Sequence, residues 1–331
     1  MSTPTPTQKT KTILITGAAG LLGPLLTQHL LSLPPSYNLL LTDISPISLP
    51  FTYNPSRITV LQGDLSSPTF LSSILSHPLN AVYILHGIMS STAEANYPLS
   101  LKINVYSILS LTEQLRLLYP GIRTIFTSSI AIYGHLADPT AKITENVYPR
   151  PETTYGAHKL MIETHLTELH RKGFLDVIIA RLPTISVRPG KPTGAASSFL
   201  SGIIREPMQE KECIVPIEDR GFKSYLSSPG KVIENLGRVL EWNRLEGNVT
   251  VQFPGISVSI EEMIDALRVY GGEDKVRFIK EERDERLEKI LRSWPRDFDV
   301  RRGEEMGLGR DEGVEGIVGI YIEGLRKDRK F

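Results

Sequence analysis

The segment KTILITGAAGLLGPLLTQHLLSL, residues 11–33, decides how this chain of 331 residues folds. It opens with a β-branched apolar run and continues, after a glycine-rich turn, into leucines that recur at helical spacing. This pattern predicts a strand, a tight turn and a helix. Pro24 is compatible with that helix because it falls in the first turn, where a backbone N–H has no intrahelical partner.

The glycine turn has the spacing expected where the backbone approaches a phosphate closely. Gly17, Gly20 and Gly23 are three residues apart. The first two permit a tight turn and close approach, and the last lets the helix pack on the strand. Unpaired N–H groups at the start of the helix favour a pyrophosphate. A glycine-rich corner without any ligand is the alternative, but its position directly after the first strand favours a dinucleotide. The predicted cofactor contacts here are Gly17, Gly20, Leu21, Leu22 and Gly23.

Asp43, at the end of the second apolar run, indicates which dinucleotide binds. A carboxylate at that point accepts hydrogen bonds from both adenosine ribose hydroxyls and repels a 2′-phosphate. Ile44 follows it and no arginine is adjacent, so NAD is favoured over NADP. Asp64 and Leu65, in the GDL sequence after the third strand, are further predicted cofactor contacts near the adenine. Either aspartate could instead be a plain turn residue.

Strands and helices continue to alternate through the first half of the chain. This alternation predicts an α/β fold, a Rossmann-type doubly wound parallel sheet with helices on both faces. The predicted strands are 11–16, 37–42, 58–64, 80–87, 123–129 and 176–182, and the predicted helices after the first are 68–76, 101–118 and 152–171.

The composition changes after Pro183, where loops rich in glycine, proline and hydroxyls give way to short mixed segments. We therefore predict three parts. Residues 1–10 form a flexible tail, and residues 11–183 form an NAD-binding Rossmann domain that carries the catalytic helix. Residues 184–331 form a smaller, mainly substrate-binding lobe, from which segments could return to the first domain.

Composition argues against several classes of function. Lys plus Arg and Asp plus Glu number 37 each, which gives no electrostatic reason to expect nucleic acid or an anionic membrane as a partner. The apolar runs are too short to span a bilayer, and the polar start lacks the apolar core of a secretory signal. With one cysteine, Cys213, and scattered histidines, we predict no disulfide, no metal and a cytoplasmic location.

Tyr155 and Lys159, in YGAHK, are one helical turn apart and are predicted to share a face. A tyrosine is a poor base at its usual pKa of about 10. We expect the Lys159 ammonium, helped by a positive nicotinamide, to lower that pKa so that Tyr155 accepts a proton near neutral pH. Ser129 ends the preceding strand at the carboxyl edge, where open α/β sheets bind ligands, and is predicted to hold the reacting oxygen with Tyr155. Ser128 is a predicted substrate contact, with an ordinary strand-end hydroxyl as the alternative.

Taken together, GAAGLLG, Asp43, Asn104, Ser129 and YGAHK resemble the extended short-chain dehydrogenase/reductase family, the NAD-dependent epimerases and dehydratases. The resemblance implies hydride exchange with NAD while Tyr155 handles the proton. It also implies catalytic roles for Ser129, Tyr155 and Lys159, a water-linked proton path to the lysine supported by Asn104, and cofactor contacts that include Tyr155, Lys159 and Leu182. The alternative for Asn104 is a polar residue that starts a helix.

One feature departs from that family. Its members usually carry His-Leu-Ala-Ala after the fourth strand, whereas this chain reads Ile84, Leu85, His86, Gly87. A shift of two residues keeps the histidine on the same strand face but moves it towards the ligand edge. His86 is therefore a predicted cofactor contact, with a hydrogen-bonded structural side chain as the alternative.

The loop ISVRPGKPTGAASSF, residues 185–199, places Arg188 and Lys191 among small residues and hydroxyls, a composition that suits a small anion. Together with FPGISVSIEEMIDAL and SWPRDFD, it resembles the D-erythronate dehydrogenase branch of the family. The resemblance implies NAD-linked oxidation of a small 2-hydroxy sugar acid at C2. Arg188 can clamp its carboxylate through two parallel hydrogen bonds, and Ser197 and Ser198 are candidate contacts for its hydroxyls. Pairing of Arg188 with an internal acid is the alternative.

Two other functions stay open at this stage. The same scaffold supports nucleotide-sugar epimerases and dehydratases, although the second lobe looks short for a nucleoside diphosphate. A non-catalytic NAD-sensing protein would not need the Tyr155–Lys159 pair. The family resemblance also implies a homodimer formed through helices 101–118 and 152–171.

Overall fold

The computed structural model describes residues 10–34, 37–135 and 142–328, with side chains as far as residue 325. All but the last residue of the predicted flexible tail, 1–10, therefore lies outside the described residues. The main sheet has seven strands in the order β10-β6-β5-β4-β1-β2-β3, and every neighbouring pair is parallel. These strands are β1 (Lys11–Thr16), β2 (Tyr37–Asp43), β3 (Ile58–Gln62), β4 (Ala81–Ile84), β5 (Arg123–Ser129), β6 (Asp176–Leu182) and β10 (Thr250–Gln252).

The sheet order reverses beside β1, which pairs with β2 on one side and β4 on the other. In the register, Thr16 is opposite both Thr42 and Ile84, and Ser129 is opposite Leu182. The carboxyl ends of these strands therefore align along one edge. An open α/β sheet binds ligands in the crevice at such a switch point.

Helices cover both faces of this sheet, as predicted. One face packs α1 and α8 over Ile13 and Ile15 of β1, and the other packs α5 and α6 over Leu14 of the same strand. Alternate residues of a strand point to opposite faces, so a strand buried on both sides reads as a continuous apolar run. The helices are α1 (Leu22–Ser32), α2 (Pro68–Leu75), α3 (Ser90–Ala95), α4 (Tyr97–Leu101), α5 (Ser107–Leu118), α6 (Thr154–Arg171), α7 (Ser198–Arg205), α8 (Pro229–Leu240), α9 (Ile260–Gly271), α10 (Glu273–Val276), α11 (Glu285–Arg292), α12 (Arg301–Glu305) and α13 (Val314–Asp328).

The second half of the chain has a core of its own, in which α7, α9 and α13 pack together. Two small sheets belong to this half: β7 (Thr184–Ile185), β9 (Lys223–Ser227) and β11 (Ile256–Ser259) form one, and β8 (Cys213–Val215) and β12 (Ile279–Glu281) form the other. Strand β10 and helix α8 come from the same half of the chain. However, β10 pairs with β6 in the main sheet, and α8 packs on one face of that sheet. The division of the chain at residue 183 stays a prediction.

Within the described residues, none of the helices is long and apolar enough to cross a membrane. The same part of the chain contains no group of three or more histidine, cysteine, aspartate or glutamate side chains that could hold a metal ion.

Candidate active site

The glycine turn between β1 and α1 is dictated by close backbone contacts. Gly17 has a φ of +71°, and a Cβ there would lie 2.6 Å from the backbone nitrogen of His86. At Gly23 a Cβ would lie 2.3 Å from the Ala18 carbonyl oxygen. Either position therefore excludes a larger side chain, because real Cβ atoms do not approach other atoms this closely. The predicted roles of tight turn and helix-on-strand packing match this geometry.

The start of α1 is open to a ligand. Leu21 precedes the helix and supplies no side-chain cap, so the first N–H groups are not satisfied by a capping side chain. Gly20, Leu21 and Leu22 line a cavity of about 340 Å³. A Cβ added at Gly20 would meet only the Gly17 oxygen, at 3.2 Å, so backbone is exposed towards the cavity. These residues fit a pyrophosphate.

Asp43 lies beside the glycine turn, where an adenosine ribose is expected. Its Oδ2 atom accepts a hydrogen bond from the Ala19 N–H at 3.0 Å, and Oδ1 accepts one from the Ser45 N–H at 2.9 Å. A carboxylate has about four lone-pair sites, so two remain for ribose hydroxyls. The fit to a dinucleotide therefore extends from the pyrophosphate to the adenosine side.

Asp64 and Leu65 have local structural contacts. Asp64 accepts hydrogen bonds from the Ser66 N–H at 2.8 Å and the Ser66 hydroxyl at 2.6 Å, and from Lys102 Nζ at 3.1 Å. The Ser66 bonds come first among the causes that lower the pKa of Asp64. Leu65 is buried in the core. Neither residue lines the cavity, and the alternative of a turn aspartate describes Asp64 well.

The cavity lies at the carboxyl edge of the sheet and collects most of the predicted site residues. Those that line it are Gly17, Gly20, Leu21, Leu22, Ser128, Ser129, Tyr155, Lys159, Leu182, Arg188 and Ser197. Those that do not are Gly23, Asp43, Asp64, Leu65, His86, Asn104 and Ser198. Sequence reasoning missed Met89, Ser90, Thr193 and Trp294, which also line it. Two of them lie in stretches that the sequence analysis singled out: Thr193 in the loop 185–199 and Trp294 in SWPRDFD.

Helix α6 delivers the two predicted catalytic side chains to this cavity. Its N-terminus is capped by Thr153, whose hydroxyl accepts a hydrogen bond from the Gly156 N–H at 3.1 Å. Lys159, which is 3% exposed, donates a hydrogen bond from Nζ to the Thr127 carbonyl at 2.8 Å. The same Nζ lies 5.6 Å from the centre of the Tyr155 ring. The predicted pairing of tyrosine and lysine on one helix face is therefore present.

The electrostatics differ from the sequence-based expectation. Burial raises the pKa of Tyr155 to about 12, opposed by the Arg188 charge and by a hydrogen bond with Ser129. Burial also lowers the pKa of Lys159 to about 8, opposed by the charge of Glu163. The expected lowering of the Tyr155 pKa by Lys159 is not found in the protein without ligands. Burial is the largest cause of the shift and Arg188 is the charge that opposes it, whereas Lys159 Nζ donates to the Thr127 carbonyl.

The two serines that end β5 differ in their hydrogen bonding. The Ser129 hydroxyl accepts a hydrogen bond from the Ala131 N–H at 3.1 Å, and its influence on Tyr155 lowers the pKa of that phenol. The Ser128 hydroxyl is buried and has no partner among the described residues. Ser128 lines the cavity, but its Oγ atom is not exposed there. Its role as a substrate contact stays a prediction.

Asn104 lies in a π-helical segment, Lys102–Tyr106, that interrupts the predicted helix 101–118. Its Oδ1 atom accepts a hydrogen bond from the Ile88 N–H at 2.8 Å, and Nδ2 donates to the Ser100 hydroxyl at 3.1 Å. A Cβ added at Gly87 would lie 3.0 Å from this Oδ1 and 3.8 Å from Lys159 Nζ. The side chains of Asn104 and Lys159 therefore both lie close to Gly87. This proximity is what a water-linked path between the two side chains needs. π-Bulges frequently occur at functional sites.

His86 is held in the structure by two hydroxyls. Its Nδ1 atom is 2.8 Å from the Thr16 Oγ1 atom, and its Nε2 atom is 3.0 Å from the Ser107 Oγ atom. Burial and the Lys159 charge lower the pKa of His86 to about 3, so the ring is neutral. With both ring nitrogens engaged, the structural alternative describes this residue better than a polar contact with the cofactor.

Arg188 is a buried cation in the cavity wall, 7% exposed. Its guanidinium donates to the Ile185 carbonyl at 2.8 Å, and to the hydroxyls of Thr193 and Ser197 at 3.0 Å each. Among the described residues no carboxylate pairs with it. Burial and the nearby Arg205 charge lower its pKa to about 10. The alternative of an internal acid partner therefore has no support within the described part of the chain.

The two candidate serines of the loop have different orientations. Ser197 is buried, lines the cavity and accepts from Arg188. The Ser198 hydroxyl instead accepts a hydrogen bond from the Thr193 N–H at 3.0 Å. Ser198 therefore fixes the loop that carries Thr193, and the cavity wall includes Ser197 alone of the two.

Comparison with known proteins places this architecture in a family. The NAD dependent epimerase/dehydratase family model matches residues 13–219. Two curated relatives are D-erythronate dehydrogenases: the protein from Cupriavidus necator is 35% identical, with 95% of this chain and 99% of the relative covered. The protein from Haemophilus influenzae is 34% identical, with 94% and 98% covered.

A solved structure, described as a nucleoside-diphosphate-sugar epimerase from Agrobacterium tumefaciens, is 30% identical, with a TM-score of 0.88 over 98% of this chain and 96% of that one. The chain belongs to the NAD-dependent epimerase/dehydratase family. It is an NAD-dependent oxidoreductase of the extended short-chain dehydrogenase type.

Proposed function

We propose that this enzyme oxidises a small 2-hydroxy sugar acid, of the D-erythronate type, at C2 to the 2-oxo acid. The observation that carries the proposal is Arg188, a buried guanidinium without a carboxylate partner among the described residues, in the same cavity wall as Tyr155 and Ser129. Burying an uncompensated charge is costly. An anionic substrate removes that cost and lies next to the predicted proton acceptor.

The free hydrogens of Arg188 suit a carboxylate. A guanidinium has five N–H bonds, of which Nε, Nη1 and Nη2 each use one within the protein. One N–H remains on each terminal nitrogen. Two parallel N–H donors bind a carboxylate in a bidentate manner and fix its orientation. The C2 hydroxyl of a 2-hydroxy acid is then held at a fixed distance from the anchored carboxylate.

Tyr155 is the proposed general base and Ser129 the group that orients the reacting oxygen. Ser129 and Tyr155 line the same cavity and Ser129 lowers the pKa of Tyr155, so we propose that both hold the substrate hydroxyl. Because the pKa of Tyr155 is about 12 without ligands, added positive charge is needed for it to act near neutral pH. NAD, if held by the glycine turn and Asp43, would supply positive charge at its nicotinamide and the hydride acceptor. Lys159 and Asn104 both lie close to Gly87, and we propose that they pass the proton onward through water.

NAD is the proposed cofactor, in preference to NADP. The residues proposed to hold it are the glycine turn and the start of α1 for the pyrophosphate, and Asp43 for the ribose. The Asp43 carboxylate sits 3.0 Å from the Ala19 N–H, where it would repel a 2′-phosphate. Leu182 and Lys159 line the same cavity and are proposed contacts further along the cofactor.

D-Erythronate is the proposed substrate because the two curated relatives named for it are aligned over nearly their whole length. The test is NADH formation, followed at 340 nm, with D-erythronate, its epimers and shorter 2-hydroxy acids, each with NAD and NADP. We expect turnover of the four-carbon acid with NAD. Turnover of a nucleotide sugar without any turnover of 2-hydroxy acids would instead support an epimerase or dehydratase, as the Agrobacterium protein is described. NAD binding without turnover of either class would support a sensor.

We also propose a homodimer, because apolar side chains are exposed on the helices of the predicted interface. Four large apolar side chains on these helices, 101–118 and 152–171, are at least half exposed: Tyr106 at 56%, Leu117 at 55%, Leu118 at 56% and Met161 at 50%. Exposed apolar groups on adjacent helices are typical of an interface. Sedimentation of the wild type should give twice the monomer mass, and Met161→Glu should shift it to the monomer. A monomeric wild type at micromolar concentration would contradict the proposal.

A further inference from the structure

His158 is a buried titratable residue that precedes Lys159 on α6 and to which the reaction proposed above gives no role. It is 2% exposed and is not part of the described cavity lining. Its Nδ1 atom lies 2.8 Å from the Oγ atom of Ser100, a residue with no exposed surface. The same Oγ atom accepts a hydrogen bond from Asn104 Nδ2 at 3.1 Å. A chain of hydrogen bonds therefore joins His158 to the asparagine of the proposed proton path.

The direction of these hydrogen bonds follows from the groups around them. The Ile88 N–H donates to the Asn104 amide at 2.8 Å, so the atom bonded there is the oxygen, and the amide nitrogen faces Ser100. The Ser100 oxygen accepts from Asn104, and its own hydrogen needs an acceptor because buried hydroxyls are nearly always paired. Among the described residues, the acceptor bonded to it is His158 Nδ1. The ring therefore carries its hydrogen on Nε2.

The surroundings of His158 keep its ring neutral. Burial lowers its pKa from the usual 6.5, opposed by the charge of Glu94 on α3. The Glu94 carboxylate also accepts a hydrogen bond from the Thr154 N–H. The ring of Tyr97 on α4 packs against His158, with the two ring centres 5.3 Å apart. A neutral ring presents Nδ1 to Ser100 as an acceptor at neutral pH.

The chain leaves the Asn104 amide with one free acceptor position. Both hydrogens of its Nδ2 atom are used, one by the Ile88 carbonyl at 3.1 Å and one by Ser100. Its Oδ1 atom accepts from the Ile88 N–H, which leaves one lone pair. That oxygen lies 3.0 Å, and Lys159 Nζ 3.8 Å, from the position that a Cβ would take at Gly87. The free lone pair is therefore available to orient a water that passes a proton from Lys159.

We infer that His158 is a positioning residue for proton transfer, which acts through Ser100 to hold the Asn104 side chain in the orientation that the proton path needs. The inference rests on the proposed function, in which Lys159 and Asn104 pass the alcohol proton to water, and deepens it. Hydrogen bonds in a buried chain strengthen one another and rigidify the groups they join, so loss of the outer member should loosen Asn104. Neither Ser100 nor His158 belongs to the described cavity lining, so removal of the proton is affected and substrate binding is not.

The test compares two substitutions of His158 with a matched control, His165→Phe. His158→Phe removes the acceptor, whereas His158→Asn keeps an acceptor oxygen at the position of Nδ1. His165 lies on the same helix, and its Nε2 atom is 2.9 Å from the Thr112 hydroxyl of α5, a bond that does not lead to Asn104. For His158→Phe we expect kcat for D-erythronate to fall about 3- to 10-fold, the loss of one hydrogen bond, while KM and NADH affinity stay within twofold. His158→Asn should recover most of kcat, and His165→Phe should match the wild type.

The solvent isotope effect separates proton transfer from a general loosening of the site. The ratio of kcat in H2O to kcat in D2O should be larger for His158→Phe than for the wild type, because passage of the proton then limits the rate more strongly. The ratio for His165→Phe should equal that of the wild type. An unchanged kcat in His158→Phe would overturn the inference. A reduced kcat with an unchanged isotope ratio would overturn it too, because the loss would then be structural.

Ser100→Ala guards against loss of folding in His158→Phe, because it breaks the same chain with a smaller change. It should lower kcat about 3- to 10-fold with the same rise in the isotope ratio. If His158 acts through Ser100, the double variant should have a kcat within twofold of the slower single variant, and effects that multiply would overturn the inference. If the wild type turned over no 2-hydroxy acid at all, the proposed function would fail. If it did so and both single variants behaved like His165→Phe, only the role of His158 would fail.

Discussion

Replacing Arg188 by methionine should remove substrate recognition while leaving the fold and the cofactor site intact. The side chain is 7% exposed, and within the described residues its hydrogen bonds go only to the Ile185 carbonyl and to two hydroxyls. Methionine keeps much of the apolar volume and removes the charge. Because the guanidinium is buried near Arg205 without an acid partner, its removal relieves a desolvation cost that offsets the lost bonds. We therefore expect a change in unfolding free energy within about 2 kcal/mol.

The effect on catalysis should be much larger than the effect on stability. Truncating one partner of a buried, hydrogen-bonded charge pair costs about 2–5 kcal/mol. With a factor of ten for each 1.4 kcal/mol, kcat/KM for D-erythronate should fall about 30- to 4,000-fold. Arg188→Lys keeps a charge but loses the paired donors, and it should retain more activity than Arg188→Met.

The assay is NADH formation with D-erythronate and with erythritol, which has hydroxyls at the same carbons but no carboxylate. Any slow turnover of erythritol should be the same in Arg188→Met and the wild type, because no carboxylate contact is lost. NADH affinity, measured by calorimetry, should stay within threefold. The reasoning is refuted if Arg188→Met keeps kcat/KM for D-erythronate within threefold of the wild type. It is also refuted if erythritol turnover falls by the same factor as that of the acid.

Two further predictions follow from pKa shifts at buried groups. Burial lowers the pKa of His86 to about 3 from its usual 6.5. As pH falls, the imidazole is therefore protonated in the unfolded chain before it is protonated in the folded protein, and the free energy of unfolding should decline between about pH 6.5 and 3. In His86→Gln, denaturant unfolding should show a weaker decline over that range while NAD affinity stays near wild type; an unchanged decline would count against a buried neutral imidazole. Burial raises the pKa of Cys213 to about 12, so the thiolate that reacts with reagents is scarce at pH 8. Iodoacetamide should label Cys213 in the denatured protein and leave the native protein unlabelled over the same period, and rapid native labelling would contradict the burial seen here.

Local sequence patterns predicted the positions of those site residues that are fixed by a single strand or a single helix. Strand and helix alternation placed Ser129 at the carboxyl edge of the sheet, and helical spacing put Tyr155 and Lys159 on one face. The structure has each of these positions. Their electrostatics were harder to predict, because burial, which raises the pKa of Tyr155, depends on everything packed around the ring.

Features that depend on distant contacts were not predictable from the sequence. The predicted strand 80–87 is shorter in the structure, where β4 ends at Ile84, so strand periodicity does not reach His86. Its partners, Thr16 and Ser107, belong to other elements. The π-helical turn at Asn104 is accompanied by hydrogen bonds to Ile88, far away in the sequence. Strand β10, too short for a clear pattern, is recognisable only from its pairing with β6.

The position of Trp294 in the cavity wall was likewise not predictable from the sequence. It depends on how the second half of the chain packs over the sheet edge, with α11 ending just before the ring. A tryptophan in an isolated stretch such as SWPRDFD is equally compatible with a core position. Its place in the cavity lining, known only from the structure, separates the two interpretations.

The central claim is that the bond from C2 to hydrogen breaks while the carboxylate is held by Arg188 and the hydroxyl by Tyr155. The most direct measurement uses D-erythronate with deuterium at C2 and determines the mass of the NADH formed by the wild-type enzyme. The account predicts that essentially all NADH carries one deuterium and that the 2-oxo acid carries none. Unlabelled NADH together with deuterium retained in the product would show that oxidation occurs at another carbon, and would contradict the account.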